Sequence, residues 1–244
     1  MNQQTNSSQV PPRVRGELER CVPTFTEIVK YRRESPSPKT LRAGYDLIGR
    51  HGPIAPILKE QANRIRNGKP LKVLDIGAYD RALGRSLAKC NMVTSYHSVD
   101  IDGSHSHEFD DIRKVSDKYD LICIFELIEH LELQEVCELF HRAFSSLLPG
   151  GKLFVSTPNP LHPGRFWGDM THKQHWPAAD LFAVLRHAGF RRDDIEIYGV
   201  IFGGAFSISA IPSTCKNWLR YLVWRAIGLE ARGGIFVVAT NTEL

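Results

Sequence analysis

The stretch Leu71-Lys72-Val73-Leu74-Asp75-Ile76-Gly77, followed after a helical interval by Tyr96-His97-Ser98-Val99-Asp100-Ile101-Asp102, decides the fold. Each apolar run closes on an acid. Continuous apolar runs separated by helical periodicity describe a parallel βαβ unit, and such a unit binds ligands at the carboxyl ends of its strands. Asp75 and Asp100 are therefore expected to flank one crevice. The turn between them, Gly77-Ala78-Tyr79-Asp80-Arg81-Ala82, has one glycine where the dinucleotide fingerprint G-x-G-x-x-G has three. A pyrophosphate needs a glycine-lined turn and a bare helix N-terminus, and here Asp75 and Asp80 stand against it.

A cationic ligand with a ribose suits this crevice better. S-adenosylmethionine carries no phosphate, a positive sulfonium and ammonium, and two ribose hydroxyls that one carboxylate such as Asp100 can accept as a pair of hydrogen bonds.

Further along the chain, the order of motifs matches a family. Val73-Leu74-Asp75-Ile76-Gly77-Ala78, Ser98-Val99-Asp100-Ile101, Tyr119-Asp120-Leu121-Ile122-Cys123 with Phe125-Glu126-Leu127-Ile128-Glu129-His130-Leu131, and Leu148-Pro149-Gly150-Gly151 resemble the class I S-adenosylmethionine-dependent methyltransferases across roughly residues 68 to 242. The resemblance implies an α/β fold: a Rossmann-like, seven-stranded, mostly parallel sheet with helices on both faces and an antiparallel last strand. It also implies a cofactor set: Asp75 and Gly77 at the methionine end, Asp100 at the ribose hydroxyls, Asp110 or Asp111 at the adenine amine, with Ala78, Tyr79, Ile101 and Phe125 completing the pocket. The family's usual turn is D-x-G-x-G-x-G. This chain places Tyr79 and Arg81 at the second and third glycine positions, where glycine lets the backbone approach the ligand and adopt unusual dihedrals.

Composition bounds the rest. The 244 residues, 42% hydrophobic and 24% charged, suffice for one substantial core. Five cysteines, at positions 21, 90, 123, 137 and 215, form no CxxC pair and suit a reducing cytosol. The first eight residues lack the basic and apolar regions of a signal peptide, and no apolar run nears the roughly eighteen residues of a spanning helix, so a cytoplasmic location is expected. The net charge of +4 is spread in short pairs such as Arg32-Arg33 and Arg191-Arg192, too diffuse for a nucleic-acid surface.

Residues 1–39 read as a flexible arm with one short ordered piece, interrupted at Pro11-Pro12 and Ser35-Pro36-Ser37-Pro38, and residues 40–244 as the methyltransferase domain. From Thr40 to Asn67, apolar positions between Leu41 and Ile65 fall at helical spacing around Gly52-Pro53, predicting two helices over the start of the sheet. Tyr119 to Phe125 reads as a buried strand. Leu131 to Leu147 reads as a helix ended by Pro149-Gly150-Gly151, with a strand over Lys152 to Thr157. A Pro-rich loop then runs to Trp176 and is expected to roof the acceptor pocket, lined by Phe166, Trp167 and Trp176 or holding them as its own core. Pro177 opens a helix that Gly189 stops; strands near 195–200 and 235–240 flank a helix at 216–227. That helix is apolar with three basic residues, a composition found at membrane surfaces, so peripheral membrane contact through 216–227 is an open expectation beside plain sheet cover.

Methyl transfer from a sulfonium is an in-line displacement, and a hydroxyl acceptor must lose its proton. His130 and His172 are the candidate bases, with Glu129 beside them, because imidazole titrates near neutral pH. Glu126-x-x-Glu129-His130 with His172 also resembles the metal-binding set of small-RNA 3′-terminal 2′-O-methyltransferases, although the loop otherwise matches poorly; the expectation is that these residues hydrogen-bond among themselves and hold no metal. Asp169-x-Thr171-His172 resembles a segment of methyltransferases of surface-polysaccharide and lipid-linked sugar assembly, which implies a sugar or small-molecule hydroxyl as acceptor. Two rivals stay open: a non-catalytic binding or partner subunit with a degenerate cofactor site, motivated by Tyr79 and Arg81, and a metal-assisted RNA methyltransferase.

Overall fold

The computed structural model describes residues 21–43, 71–89, 93–162, 165–202, 222–223, 226 and 232–243. Its strands are β1 (Lys39–Ala43), β2 (Leu71–Ile76), β3 (Val93–Val99), β4 (Tyr119–Phe125), β5 (Leu147–Pro158), β6 (Ile195–Phe202) and β7 (Gly234–Thr240). They form one seven-stranded sheet in the order β1-β6-β7-β5-β4-β2-β3. The β2/β3, β2/β4, β4/β5 and β1/β6 pairs are parallel, while β7 runs antiparallel to both β5 and β6. This is the Rossmann-like, mostly parallel sheet that the motifs imply.

Alternation along the strands explains why they read as unbroken apolar runs. Leu74, Ile122, Val155 and Val237 face one core, shared with Val136 and Phe140 of α3 (Leu133–Ser146) and with Leu181 and Phe182 of α4 (Ala178–His187). Val73, Leu121, Phe154 and Phe236 face the other, against Leu83 and Leu87 of α2 (Ala82–Lys89). With both faces covered, water gains no polar stripe in the sequence.

Two local readings change. The expected start of a helix at Thr40 is strand β1 instead, because the edge of β6 offers an unpaired backbone ladder that Lys39–Ala43 completes from Lys39↔Tyr198 to Ala43↔Phe202. The remainder of the two helices predicted up to Asn67 lies outside the described residues, as do most of 216–227, where Leu222, Val223 and Ala226 are helical. The helix before Pro149-Gly150-Gly151 stops sooner, at Ser146; Leu147 is already extended and pairs with Tyr119, so β5 runs through the Pro-Gly-Gly segment, where Gly150 N–H donates to Asn241 O at 2.7 Å. No helix among the described residues is long and apolar enough to cross a membrane.

Within the stretch read as a flexible arm, α1 (Phe25–Glu34) is capped by Thr24, whose Oγ1 accepts from Glu27 N–H while Glu27 Oε2 accepts from Thr24 N–H at 2.8 Å. It lies against α4: Arg32 pairs with Asp180, and Arg186 reaches Glu34 at 3.5 Å while its guanidinium sits over the Tyr31 ring.

Candidate functional site

β2, β3, β4 and β5 end on the same side of the sheet, so the turns that follow them share one edge. After β2 the chain passes through Gly77, Tyr79 and Arg81, and all three hold positive φ, of 73°, 41° and 60°. These are the three positions where the family turn has glycine. The backbone shape of a glycine loop is therefore kept although two glycines are gone, and the side chains are turned outward: Tyr79 is 53% exposed and leans edge-on against His105. Gly77 remains glycine for a second reason, since a Cβ there would sit 2.9 Å from Leu127.

Arg81 is fixed on the far side of this loop. Its guanidinium donates to Ser106 O and Glu108 Oε1, both at 2.8 Å, and lies over the Tyr96 ring. Tyr96 in turn donates its hydroxyl to Asp75. Asp75 is 4% exposed, and burial pushes its carboxyl up to about 7, with the Tyr96 hydrogen bond pulling the other way. Asp100, at the end of β3, accepts from Tyr79 N–H at 2.7 Å and from Asp102 N–H at 2.9 Å, one bond on each oxygen, which leaves each a further lone pair. Ile101 beside it is 91% exposed, an apolar side chain open to a flat ligand. Ala78 and Phe125 are buried at the ends of β2 and β4. Asp110 pairs with Lys114, and Asp111 accepts from the Arg113 guanidinium at 2.8 Å and from Arg113 N–H at 2.8 Å, capping a short 3₁₀ turn; each carboxylate is held below its usual range, chiefly by the side-chain bond to its basic partner.

The turn after β4 touches the glycine loop through Leu127 and carries the second half of the site. Glu126 sits at φ 48°. It is exposed at the mouth of a cavity of about 340 Å³ lined also by Glu129, His130, Pro158, Arg165, Asp169 and His172. The protein mass around its carboxyl desolvates the charge and raises the pKa, while the Ser156 hydroxyl, donating to Oε1 at 2.7 Å, and the cationic Arg165 oppose that rise. Glu129 is 1% exposed and is pushed up to about 8, first by burial and then by Glu126. Its Oε2 accepts from the Thr157 hydroxyl at 3.0 Å, whereas its Oε1 is buried with no hydrogen-bond partner.

Two imidazoles complete the cluster. His130 Nδ1 donates to Thr171 O at 3.2 Å, with Thr171 Oγ1 at 3.1 Å, and His172 Nδ1 donates to Phe166 O at 2.7 Å. Carbonyl acceptors require the proton on Nδ1, so Nε2 is the nitrogen that carries the lone pair. The rings lie 4.9 Å apart. The loop that brings His172 is fastened rather than loose: Lys173 and Gln174 N–H donate to Glu129 O at 2.7 and 3.1 Å, and Trp176 Nε1 donates to Ile128 O. Phe166 and Trp176 are buried in the loop's base, and Trp167, expected to line the pocket or the loop core, is 73% exposed instead, with its ring edge-on to Phe166.

The sequence reading missed the residues that hold these groups in place. Tyr96, Glu108, Thr157 and Thr171 act across 21, 27, 28 and 41 positions, and only Thr171 left a trace, in the Asp-x-Thr-His segment.

A mostly parallel sheet with a left-handed turn after its first motif strand, an acid ending the next, and a polar cavity at the end of β4 places the chain among ligand-binding proteins on a Rossmann-like frame. The family model described as "Methyltransferase domain" matches residues 48–194, more than half the chain. The chain belongs to this family, the class I S-adenosylmethionine-dependent methyltransferases. No curated protein matches. Among solved structures, a SAM-dependent methyltransferase from Archaeoglobus fulgidus is similar with a TM-score of 0.52 and 21% identity, over 75% of this chain and 93% of that one. A protein of Bacillus halodurans described as a methyltransferase has a TM-score of 0.50 and 13% identity, over 76% and 99%. A methyltransferase chain in complex with the Haloferax volcanii Trm112 methyltransferase activator has a TM-score of 0.51 and 12% identity, over 95% and 94%. At these identities the likeness concerns the fold.

Proposed function

We propose that this chain transfers the methyl group of S-adenosylmethionine to a hydroxyl of a small-molecule, glycan or lipid-linked acceptor. The observation that carries this reading is the polar cavity of about 340 Å³ holding Glu129, His130 and His172, set against the glycine-loop turn through the Gly77–Leu127 contact. The residues of the turn fit the cofactor: left-handed backbone at 77, 79 and 81 keeps side chains off the crevice, Asp75 and Asp100 offer carboxylates to a cation and a diol, and Ile101 offers an uncovered apolar face. When bound, S-adenosylmethionine supplies the electrophilic methyl carbon. The protein's part is to hold the acceptor oxygen in line and to ionise it at the Glu129, His130 and His172 end of the cavity; the C–O bond forms as the C–S bond breaks. Asp110 or Asp111 is proposed for the adenine amine once its local basic partner yields.

Titration calorimetry with S-adenosylmethionine and S-adenosylhomocysteine, followed by labelled methyl transfer to a panel of sugars and phenols, tests the reading. Saturable heat and label on oxygen are expected. Absence of heat with either ligand would instead favour the non-catalytic subunit that Tyr79 and Arg81 suggest.

A further inference from the structure

We infer that Glu129, His130 and His172 form a binding site for one divalent first-row transition-metal cation, open on the side of the acceptor cavity. The inference rests on the methyl-transfer reading for its use, but its evidence is local. One carboxylate oxygen of Glu129 and one ring nitrogen from each histidine lie within 4.8 Å of one another. Donors at about 2.0–2.2 Å from a common ion stand roughly 3.3–3.6 Å apart, so these atoms would have to close by up to about 1.5 Å, a movement that side-chain torsions supply.

Three independent features point the same way. First, Glu129 Oε1 is buried without a hydrogen-bond partner, and a buried carboxylate oxygen with no donor costs free energy that a cation would recover. Its other oxygen is held by Thr157, so the free one has a fixed direction. Second, both imidazoles give Nδ1–H to backbone carbonyls, of Thr171 and of Phe166, which fixes each ring and presents Nε2; this is the outer arrangement that metal-bound histidines show. Third, the cavity lined by the three residues has room for further ligands and an open mouth. Glu126, on the same cavity wall, is engaged with Ser156, so the site is one carboxylate and two imidazoles with open positions.

That donor set selects the cation class. Two imidazoles with one carboxylate favour Zn²⁺, Co²⁺, Mn²⁺ or Fe²⁺ over Mg²⁺ and Ca²⁺, which take all-oxygen shells. An acceptor hydroxyl entering an open position would become more acidic, its proton leaving to water at the cavity mouth, and an acceptor with two adjacent oxygens could occupy two positions.

The test uses the full chain, free of any affinity tag and stripped with chelator, titrated with Co²⁺ and followed by visible d–d absorption. One equivalent should bind saturably, and Glu129→Gln and His172→Asn should each weaken binding by at least tenfold, while S-adenosylhomocysteine affinity, measured on the same samples without metal, stays within about threefold and reports an intact fold. Manganese electron spin resonance gives a second readout of the same site. A band that never saturates below millimolar Co²⁺, or one that both variants leave unchanged, overturns the inference. Cobalt binding without any affinity for S-adenosylhomocysteine would uphold the cation site and overturn the methyl-transfer reading; the reverse pattern would do the opposite.

Discussion

Tyr79 and Arg81 hold left-handed backbone that glycine adopts freely, and non-glycine residues there carry strain of about 1–2 kcal/mol each. Arg81 offsets part of it through Glu108 and Tyr96; Tyr79 has the His105 contact. Tyr79→Gly should therefore leave urea-unfolding stability within about 1 kcal/mol of the parent, because relieved strain opposes the added chain entropy of glycine, whereas Tyr79→Val should lose about 2 kcal/mol. Glu129 gives a pH signature. Burial raises its carboxyl from 4.5 to about 8, so the folded chain keeps a proton that the unfolded chain has released, and this group makes stability fall as pH rises across that window. In chelator, the urea midpoint of Glu129→Gln should change less between about pH 5 and pH 8 than that of the parent; an equal change would mean the group titrates normally. Acids at strand ends were legible in the sequence, since Asp75 and Asp100 close apolar runs. Their supports were not, because the Tyr96 hydroxyl reaches Asp75 and the Tyr79 N–H reaches Asp100 only after β2 and β3 pair.

At the scale of elements, strands flanked by helices on both faces announce themselves as apolar runs, and β2, β4 and β7 fall where the sequence places them. β1 does not, because Lys39–Ala43 has weak local character and becomes a strand only when it meets the edge of β6. The N-terminal helix is a similar case: none of its residues is buried, and it is held by its cap and by ion pairs to α4. Thr24→Ala removes the Oγ1 that accepts from Glu27 N–H, leaving the bond from the backbone N–H of residue 24, and should cost about 1 kcal/mol, seen as faster hydrogen exchange across residues 25–34. Gly189 ends α4 at φ 119°, where a Cβ would lie 2.7 Å from the Phe144 ring that packs on Phe190. Gly189→Ala should destabilise by about 2 kcal/mol or more, measured by thermal unfolding.

For the whole molecule, ligand linkage offers the broadest check. A cofactor product bound only by the folded chain at about a hundred times its Kd adds about 2.7 kcal/mol, which for a chain of this size raises Tm by about 5–10 °C. S-adenosylhomocysteine should produce this shift, and a Tm that does not move at millimolar ligand would count against a working cofactor site. The position of β7 has a consequence of its own. It is wedged between β5 and β6, so until residues 234–240 arrive, the sheet exists as two separate slabs, each with a bare hydrogen-bonding margin. Such margins are templates for pairing with other chains, and so dilute, cold renaturation should recover far more monomer than concentrated renaturation does.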